Sequence, residues 1–343
     1  MQESLINDKQ LKILKLLKRA GGNQVSGETI SRNVKVSRAA IWKYVSLLRR
    51  YGYSIVSKQG SGYRLARPTE QLLPWEVEDG LTTEFVGRDI RHFSVLDSTQ
   101  DVAIRLAEGG ASEGMIVLAE RQRRGRARVG RRWIAPEGGI WFSIILRPKL
   151  LPAESTILPL MGALAICNPM RQEYRLDARL KWPNDVIIRG RKVSGILAEM
   201  SCEADRINYI VMGIGVNANN SSRRVEKTVK GTEGYYGVTS LMDELGAKVD
   251  RAALVRRILA EFEDLYTDLG ARGADRIISS WKERSATLGM TVTVAFNEMC
   301  FEGKAIDLDY DGALLVKLPD GDIKRVLAGD VYVRLLKSKK ARR

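Results

Sequence analysis

Hydrophobic residues recur at helical spacing in three successive stretches close to the N-terminus. The first runs from Asp8 to Ala20 and stops at Gly21-Gly22, the second follows Ser26, and the third begins at Ser37. Ser26 and Ser37 are suited to begin their helices, because a serine side chain accepts a hydrogen bond from the first helical turn. The pattern predicts three short helices, the last two joined by a turn of few residues.

The third stretch and the sequence after it predict a winged helix-turn-helix. Ile41, Val45 and Leu48 fall on one helix face, Gly52 is placed to end the helix, and "YSIVSKQGSGYRLA" predicts two strands around a Gly-Ser-Gly turn. In this fold the start of the third helix enters the major groove of DNA. A small helical protein-interaction module is the alternative. The residues expected to meet DNA are Gly27, Ser37, Arg38, Ala39, Trp42, Lys43 and Ser46.

Periodicity is lost in "RPTEQLLPWEVEDG", residues 67–80, where Pro68 and Pro74 predict a connection between domains. Strands and helices then alternate to about residue 284, which predicts an α/β domain. Within it "RHFSVLDST" predicts a strand and a helix capped by Ser98, and "GIWFSIILRP" and "GILAEMSCE" predict further strands.

The last part of the chain changes character again. Short alternating strands are broken by Asp311-Gly312 and Asp320-Gly321, the turn pairs of β-hairpins, and these predict a small β-barrel. The final "KSKKARR" is predicted to be a solvated tail.

Composition indicates a folded protein with a polyanionic partner. The 343 residues include 56 Lys and Arg against 41 Asp and Glu, a net charge of +15, with 44% hydrophobic residues. No apolar run reaches the roughly 18 residues of a membrane span, and the N-terminus lacks the apolar core of a signal peptide. We therefore expect a cytoplasmic protein without a membrane partner.

Cysteine and histidine usage argues against a protein-bound metal. Cys167, Cys202 and Cys300 lack the spacing of a zinc site or a disulfide framework, and we interpret them as core thiols in a reducing compartment. His92 is the single histidine and is expected to be a packing residue. No metal site is predicted.

The most unusual stretch is "RQRRGRARVGRRWIAP", residues 121–136, which puts seven arginines into the thirteen positions 121–133. Such a run could contact nucleic acid, or form a loop that folds around a small anion. Gly125 and Gly130 have the spacing of a phosphate loop, but Arg131 and Arg132 replace its Lys and Ser/Thr. A P-loop NTPase is therefore not favoured.

Four stretches, taken together, help to decide between a nucleic-acid contact and a loop around a small anion. They are "DSTQ" at 97–100, "QRRGRARVGRRW" at 122–133, "KWPNDVIIRGRKVSG" at 181–195 and "GIGVNANN" at 213–220. In this order they closely resemble the biotin protein ligases and, with the winged helix, the bifunctional ligases that also repress biotin operons. The resemblance covers nearly the whole chain. Ala127 departs from the family's usual second loop glycine, and Gln100 departs from its usual asparagine.

The resemblance implies an α+β multidomain protein. Its parts would be a winged helix-turn-helix at 1–67, a class II synthetase-like α/β ligase domain at 68–284, an SH3-like β-barrel at 285–337 and a basic tail at 338–343. The implied activity is formation of biotinyl-5′-adenylate from biotin and ATP with Mg²⁺, followed by transfer of biotin to a lysine of a biotin carboxyl carrier protein. The adenylate would also act as corepressor at operator DNA, bound by a ligand-promoted homodimer.

The implied site residues fall into three sets. Lys192, Arg126 and Asp185 would be catalytic: Lys192 between the biotin carboxylate and the α-phosphate, and Asp185 positioning the carrier lysine, with a structural turn role as its alternative. Arginine suits the task because it stays charged and presents paired donors to carboxylate or phosphate. The biotin-binding set is Ser98, Thr99, Gln100, Gln122, Gly125, Arg126, Ala127, Arg128, Lys192 and Gly195. The ATP-binding set is Arg128, Trp133, Lys181, Asn184 and Asn217.

Two other functions remain open at this stage. A DNA-binding regulator could sense a ligand without ligase activity, although it would need no ATP-side residues such as those at 181–185 and Lys192. A lipoate or octanoyl transferase would share the general fold, but it would leave the arginine-glycine stretch and the winged helix unexplained.

Overall fold

The computed structural model describes residues 6–58, 60–231, 235–296, 299–327 and 330–333. The N-terminal part confirms the three predicted helices and the hairpin. Asn7, Ser26 and Ser37 accept hydrogen bonds from the first turns of the helices that follow them, and Gly52 lies just past the third helix with φ of 82°. The elements are α1 (Asp8–Arg19), α2 (Gly27–Val34), α3 (Arg38–Arg50), β1 (Ser54–Lys58) and β2 (Gly62–Arg67), with β1 and β2 antiparallel.

The segment predicted to connect two domains is packed into both of them. It contains a short helix, α4 (Pro74–Glu78), and its apolar residues divide between two cores. Leu73 and Trp75 are buried with the N-terminal helices, whereas Leu72 and Val77 are buried in the central core. The prediction missed this packing because residues facing two cores alternately do not produce the period of one buried face.

A mixed sheet forms the central part of the molecule. Its strand order is β3-β4-β6-β10-β9-β8-β7, with β5 paired to the outer part of β4; only β3 and β4 are parallel, and the other pairs are antiparallel. The strands are β3 (Ile90–Leu96), β4 (Ile116–Arg126), β5 (Arg132–Ala135), β6 (Ile140–Leu146), β7 (Ala178–Lys181), β8 (Asp185–Ile188), β9 (Arg191–Cys202) and β10 (Ile207–Val216).

Helices cover the sheet; some lie between its strands in the sequence, and the others follow its last strand. Helix α6, buried along most of its length, belongs to the large hydrophobic core, and α5 packs with a smaller apolar cluster that includes Leu96, Val117 and Val211. The helices are α5 (Thr99–Glu108), α6 (Ile157–Gln172), α7 (Ser222–Val229), α8 (Leu241–Leu245), α9 (Arg251–Arg272) and α10 (Asp275–Glu283), with a 3₁₀ turn at Pro152–Thr156 before α6.

The C-terminal part is a five-stranded antiparallel sheet of order β14-β13-β12-β11-β15. Gly312 and Gly321 have positive φ, as expected for the predicted Asp-Gly turns. Val294, Leu314 and Val316 join the large core of the central part, so the two parts pack together. The strands are β11 (Thr291–Phe296), β12 (Met299–Leu308), β13 (Leu314–Lys317), β14 (Ile323–Val326) and β15 (Asp330–Val333). The predicted basic tail lies outside the described residues.

The structure also tests the expectations for the cysteines, for His92 and for membrane-spanning helices. Cys167 is a buried thiol as predicted, but Cys202 and Cys300 are exposed, so the interpretation of all three as core thiols is wrong. His92 is fully buried, as expected of a packing residue. Among the described helices, none has the length and apolar character needed to cross a bilayer.

Candidate functional site

A cleft beside the central sheet gathers the central-domain residues singled out from the sequence, with one exception. Gly125 does not line it: this residue is buried in β4 opposite Trp133, and a Cβ there would come within 2.6 Å of the Trp133 carbonyl oxygen. The predicted residues that line the cleft are Ser98, Thr99, Gln100, Gln122, Arg126, Ala127, Arg128, Trp133, Lys181, Asn184, Asp185, Lys192, Gly195 and Asn217.

One end of the cleft is a buried cluster of neutral polar side chains. The Thr99 backbone N–H donates to Gln122 Oε1 over 2.7 Å, and Gln100 Nε2 donates to the Val211 carbonyl over 2.9 Å. Ser143 Oγ lies 2.9 Å from Thr99 Oγ1 and 3.0 Å from Gln100 Oε1. These bonds fix donors and acceptors around a space that a small polar ring could enter.

Ser98 stands at the start of α5 but does not cap it. Its side chain makes no capping hydrogen bond, and its buried hydroxyl has no hydrogen-bond partner within the described part of the chain. The predicted cap is therefore wrong. A buried polar group without a partner is costly, so this hydroxyl is suited to bind a ligand that supplies one.

Small residues on the central strands make room for the side chains of the cleft. A Cβ at Gly213 would lie 2.6 Å from Gln100 Oε1, and one at Gly215 would lie 2.6 Å from the Trp133 ring. Gly195 is similarly close, with its Cβ position 3.0 Å from Trp133 Cζ3. The "GIGVN" stretch thus shapes the wall of the cleft.

The arginine-rich stretch is mostly a β-hairpin and not the predicted loop. Strands β4 and β5 account for much of it, and only residues 127–131 turn between them. Positive φ falls at Val129 and Gly130, so the alanine at 127 carries no left-handed backbone strain. The Ala127 N–H donates to the Arg131 carbonyl and closes the turn.

Two arginines of the hairpin are held at the cleft by named partners. Arg126 pairs with Asp101 of α5 at 2.8 Å and with Glu199 of β9. Arg128 donates to Asn184 Oδ1 over 3.2 Å. The hairpin tip is therefore tied across the cleft, with guanidinium groups on its wall.

A buried carboxylate lies opposite the hairpin, surrounded by positive charge. Asp185 Oδ1 is 2.5 Å from Lys192 Nζ, and Lys181 stands nearby, its Nζ 4.4 Å from the centre of the Tyr236 ring. Burial alone would raise the pKa of Asp185, but the charges of Lys192 and Lys181 and a hydrogen bond from Tyr236 outweigh burial and hold it below its usual range. The carboxylate is thus kept ionised.

Aromatic and amide groups complete the wall. Trp133 packs edge-on against Trp141 with ring centres 6.1 Å apart, and Lys192 Nζ lies 5.3 Å from the Trp133 ring. Asn217 is buried at the end of β10 and accepts a hydrogen bond from Asn220. Within the described ranges, no three His, Cys, Asp or Glu side chains come together in a way that could hold a metal ion.

Ser143 and Tyr236 are among the polar residues of the cleft that sequence reasoning missed. Ser143 carried a signal, because it is the one polar position in the buried strand "IWFSIIL". Tyr236 carried none, since it lies in an irregular segment whose approach to Asp185 depends on the tertiary fold.

The predicted DNA-contacting residues lie together at the start of α3 and beside α2. Ser37, Arg38, Ala39, Trp42 and Lys43 are exposed, while Gly27 and Ser46 are partly exposed. Trp42 is 64% exposed, which is unusual for so large an apolar side chain and marks a surface suited to a partner. Ile41, Val45 and Leu48 face the core as predicted.

Comparison with known proteins matches the same three regions. The HTH domain family matches residues 9–64, the biotin/lipoate A/B protein ligase family matches residues 92–217, and the biotin protein ligase C terminal domain matches residues 287–334. Each matched range falls in a different one of the parts described above.

Individual relatives match over nearly the whole chain. The bifunctional ligase/repressor BirA of Bacillus subtilis is 35% identical over 93% of this chain and 97% of its own length. That of Escherichia coli is 29% identical over 96% of this chain and 98% of its own. A crystallised biotin protein ligase from Aquifex aeolicus, in complex with biotin and ATP, is 29% identical, with a TM-score of 0.62 over 72% of this chain and 99% of its own. The chain therefore belongs to the family of bifunctional biotin protein ligases and repressors.

Proposed function

We propose that this protein joins biotin to ATP in the cleft, giving biotinyl-5′-adenylate, and then transfers biotin to a lysine of a biotin carboxyl carrier protein. One observation carries the proposal: a neutral polar pocket opens directly onto a wall bearing Lys192, Arg126 and Arg128. A ligand with a polar uncharged ring at one end and a carboxylate at the other fits that arrangement.

The neutral end suits the ring of biotin. The unpartnered Ser98 hydroxyl and the fixed groups of Thr99, Gln100 and Gln122 offer hydrogen bonds to a cyclic urea. Because these four side chains are neutral, the carboxylate of the ligand points toward the cationic wall. Hydrogen bonding thus places the ring, and electrostatics places the carboxylate.

The first half-reaction brings two anions together. A carboxylate oxygen of biotin attacks the α-phosphorus of ATP, forming a C–O–P linkage, and the bond to pyrophosphate breaks with its electron pair on the leaving group. Lys192 and Arg128 lower the repulsion between these anions and stabilise the charge of the transition state. ATP enters as its magnesium complex, and Asn184, Asn217, Lys181 and Trp133 face its side of the cleft.

The second half-reaction needs a neutral amine. We assign Asp185 to accept a proton from the ammonium group of the carrier lysine. The amine then attacks the biotinyl carbonyl, the C–N bond forms, and the C–O bond to phosphate breaks with its electron pair on AMP. The second amine proton goes to the departing phosphate.

The same adenylate would regulate DNA binding. We propose that it acts as corepressor, that it promotes a homodimer, and that two winged helices then bind two halves of a biotin operator with the face of α3 around Arg38, Trp42 and Lys43. The cytoplasm, which holds both carrier protein and operator DNA, is the proposed location.

The finer fold assignments belong to this proposal as well. They are a class II synthetase-like ligase domain at 68–284, an SH3-like barrel at 285–337 and a winged helix at 1–67. The mixed central sheet and the five-stranded terminal sheet support the first two, and the three helices with a hairpin support the third.

Product mass distinguishes the proposal from its rivals. The protein is incubated with Mg-ATP, a carrier domain and either biotin or lipoate. Biotin should add its mass, less one water, to a carrier lysine only when ATP is present. Transfer of lipoate in preference to biotin would indicate the transferase, and ligand binding without any product would indicate a sensor.

A further inference from the structure

Tyr236 makes a contact with the reacting groups that the sequence did not reveal. Its hydroxyl donates to Asp185 Oδ2 over 2.6 Å, and its ring lies 4.4 Å from Lys181 Nζ. Burial raises the pKa of the Tyr236 hydroxyl, and the Asp185 charge raises it further, so the hydroxyl stays protonated as a donor. The tyrosine is therefore a fixed donor to the carboxylate.

The backbone around Tyr236 is anchored to the strand that carries Lys192. The Lys192 N–H donates to the Gly237 carbonyl over 3.0 Å, and the Thr239 N–H donates to the Lys192 carbonyl over 2.9 Å. Lys192 and Val238 form a parallel bridge. Tyr236 and Lys192 thus share one rigid frame on either side of Asp185.

The two oxygens of Asp185 are divided between these neighbours. Lys192 takes Oδ1 at 2.5 Å, and Tyr236 takes Oδ2. In the proposed function Lys192 serves the biotin carboxylate and the α-phosphate. A lysine ammonium that turns toward those anions leaves Oδ1 open, while Oδ2 remains bound.

We propose that Tyr236 is a positioning residue for biotin transfer: by holding Oδ2, it keeps Asp185 oriented with Oδ1 free for the ammonium of the carrier lysine after Lys192 has turned to the adenylate. This inference rests on the proposed function. It separates the two halves of the reaction, because adenylate formation needs Lys192 and transfer needs Asp185 in a fixed orientation.

The charge of Asp185 depends on the same contact. The groups facing it are Lys192 from β9, Lys181 from β7 and Tyr236. Once Lys192 turns away, burial favours the protonated carboxyl, and Lys181 and the Tyr236 hydroxyl are left to oppose it. Loss of the hydroxyl should therefore raise the pKa of Asp185 in the adenylate complex.

The test is Tyr236→Phe, which removes the hydroxyl and keeps the ring beneath Lys181. Adenylate formation is followed by exchange of labelled pyrophosphate into ATP, and transfer by a single turnover from preformed adenylate to a carrier domain. Exchange should stay within about twofold of the parent, whereas transfer should fall about tenfold, the effect of one hydrogen bond to a charged group. The pH below which transfer declines should move upward.

A second nucleophile separates positioning from a structural role. Hydroxylamine is largely neutral near pH 7 and needs no base, so it should trap the adenylate at the same rate in Tyr236→Phe and the parent. Tyr266→Phe is the matched control, because it removes another partly buried hydroxyl bonded to a carboxylate, Glu113, outside the cleft. That variant should transfer biotin at the parent rate.

The outcomes test the role of Tyr236 and the proposed ligase function separately. A parent protein that forms no adenylate would overturn the proposed function itself. If the parent is active and Tyr236→Phe transfers to the carrier at the parent rate, only the role of Tyr236 is wrong. An equal loss in exchange, hydroxylamine trapping and transfer would also contradict it, since that is the result of a disturbed cleft.

Discussion

At the scale of single residues, Lys192 pairs with a buried carboxylate and is also the residue we assign to adenylate formation. It lies on strand β9, and in the free protein its charge is paired with buried Asp185. Removal of a lysine from a surface loop would cost little stability, but removal of Lys192 leaves the buried carboxylate of Asp185 with fewer partners. Its substitution should therefore affect stability as well as activity.

Lys192→Ala is expected to reduce adenylate formation by about 10²- to 10³-fold, the usual effect of removing one charge-stabilising group. The free energy of unfolding should fall by about 2 kcal/mol, since Asp185 keeps Lys181 and Tyr236. Pyrophosphate exchange and denaturant unfolding measure the two effects. Lys282→Ala is the control, because Lys282 pairs with Asp307 away from the cleft. If Lys192→Ala exchanges pyrophosphate at the parent rate, Lys192 does not take part in adenylate formation.

His92 gives a prediction about stability and pH. Burial, with the nearby Arg251 charge, lowers the pKa of His92 to about 4, whereas an unfolded histidine titrates near 6.5. Between these values the unfolded chain binds a proton that the folded chain does not, so stability is lost as the pH falls through this window. His92→Gln should remove this loss, roughly 1.5 kcal/mol between pH 6.5 and pH 5.

The measurement is the free energy of unfolding of parent and variant at both pH values. The chain has a single histidine, so no other imidazole contributes to the difference. Equal pH dependence in the two proteins would show that His92 is not held neutral by burial.

Most of the residues named from the sequence line one cleft, but their contacts could not be predicted. The runs at 181–185 and 191–195 identify Lys181, Asn184, Asp185 and Lys192 through the family resemblance. The pairing of Asp185 with Lys192 and Tyr236 depends on how β8, β9 and a later irregular segment meet, and these lie up to 51 positions apart. No local spacing encodes such a contact.

At the scale of elements, the arginine-rich hairpin differs most from expectation. Charge and glycine predicted a loop, since such runs are usually solvated. The strands form because β4 is extended from the buried "IVLAE" and β5 returns against it through "RWIA". Arg126 then joins the hairpin to α5 and β9 through Asp101 and Glu199.

Arg126→Gly should release the adenylate, because it unties the hairpin from both neighbours and removes a cation from the cleft. The released intermediate would acylate lysines at random, so biotin on an unrelated bystander protein should rise about tenfold relative to the carrier, the effect of roughly 1.4 kcal/mol of lost binding. Arg123→Gly is the control: the same change, in the same strand, at a side chain that is 64% exposed. Bystander labelling no greater than in the control would mean that Arg126 does not retain the intermediate.

The connecting segment is the second element that sequence reasoning described incompletely. Arg251 of α9 contacts both Glu120 of β4, at 2.9 Å, and the Glu70 carbonyl, and Lys18 of α1 pairs with Glu76 at 2.8 Å. The sequence predicted that this proline-bearing stretch links two parts of the chain, but its packing depends on two separate cores, which no single segment reveals.

At the scale of the whole molecule, the net charge of +15 and the exposed face of α3 lead to a prediction about DNA. If the adenylate promotes a dimer, affinity for a biotin operator should rise when biotin and ATP are both present and fall steeply with salt. Lys43→Ala should weaken binding and reduce the salt slope by about one, with ligase activity unchanged. Lys12→Ala, an exposed lysine of α1, is the control.

Fluorescence anisotropy of a labelled operator across a salt series, with and without ligand, checks these expectations. Operator affinity that is the same with and without biotin and ATP would show that DNA binding does not depend on the adenylate. A salt slope in Lys43→Ala equal to that of the parent would show that Lys43 of α3 does not contact DNA.

The most direct test of the central claim is native mass spectrometry of the protein after incubation with biotin and Mg-ATP, without any carrier. The account predicts that each chain gains the mass of one biotinyl-adenylate, because the polar pocket and the arginine hairpin hold the intermediate, and that pyrophosphate appears in equal amount. Biotin bound unchanged, or ATP converted to ADP and phosphate, would contradict it.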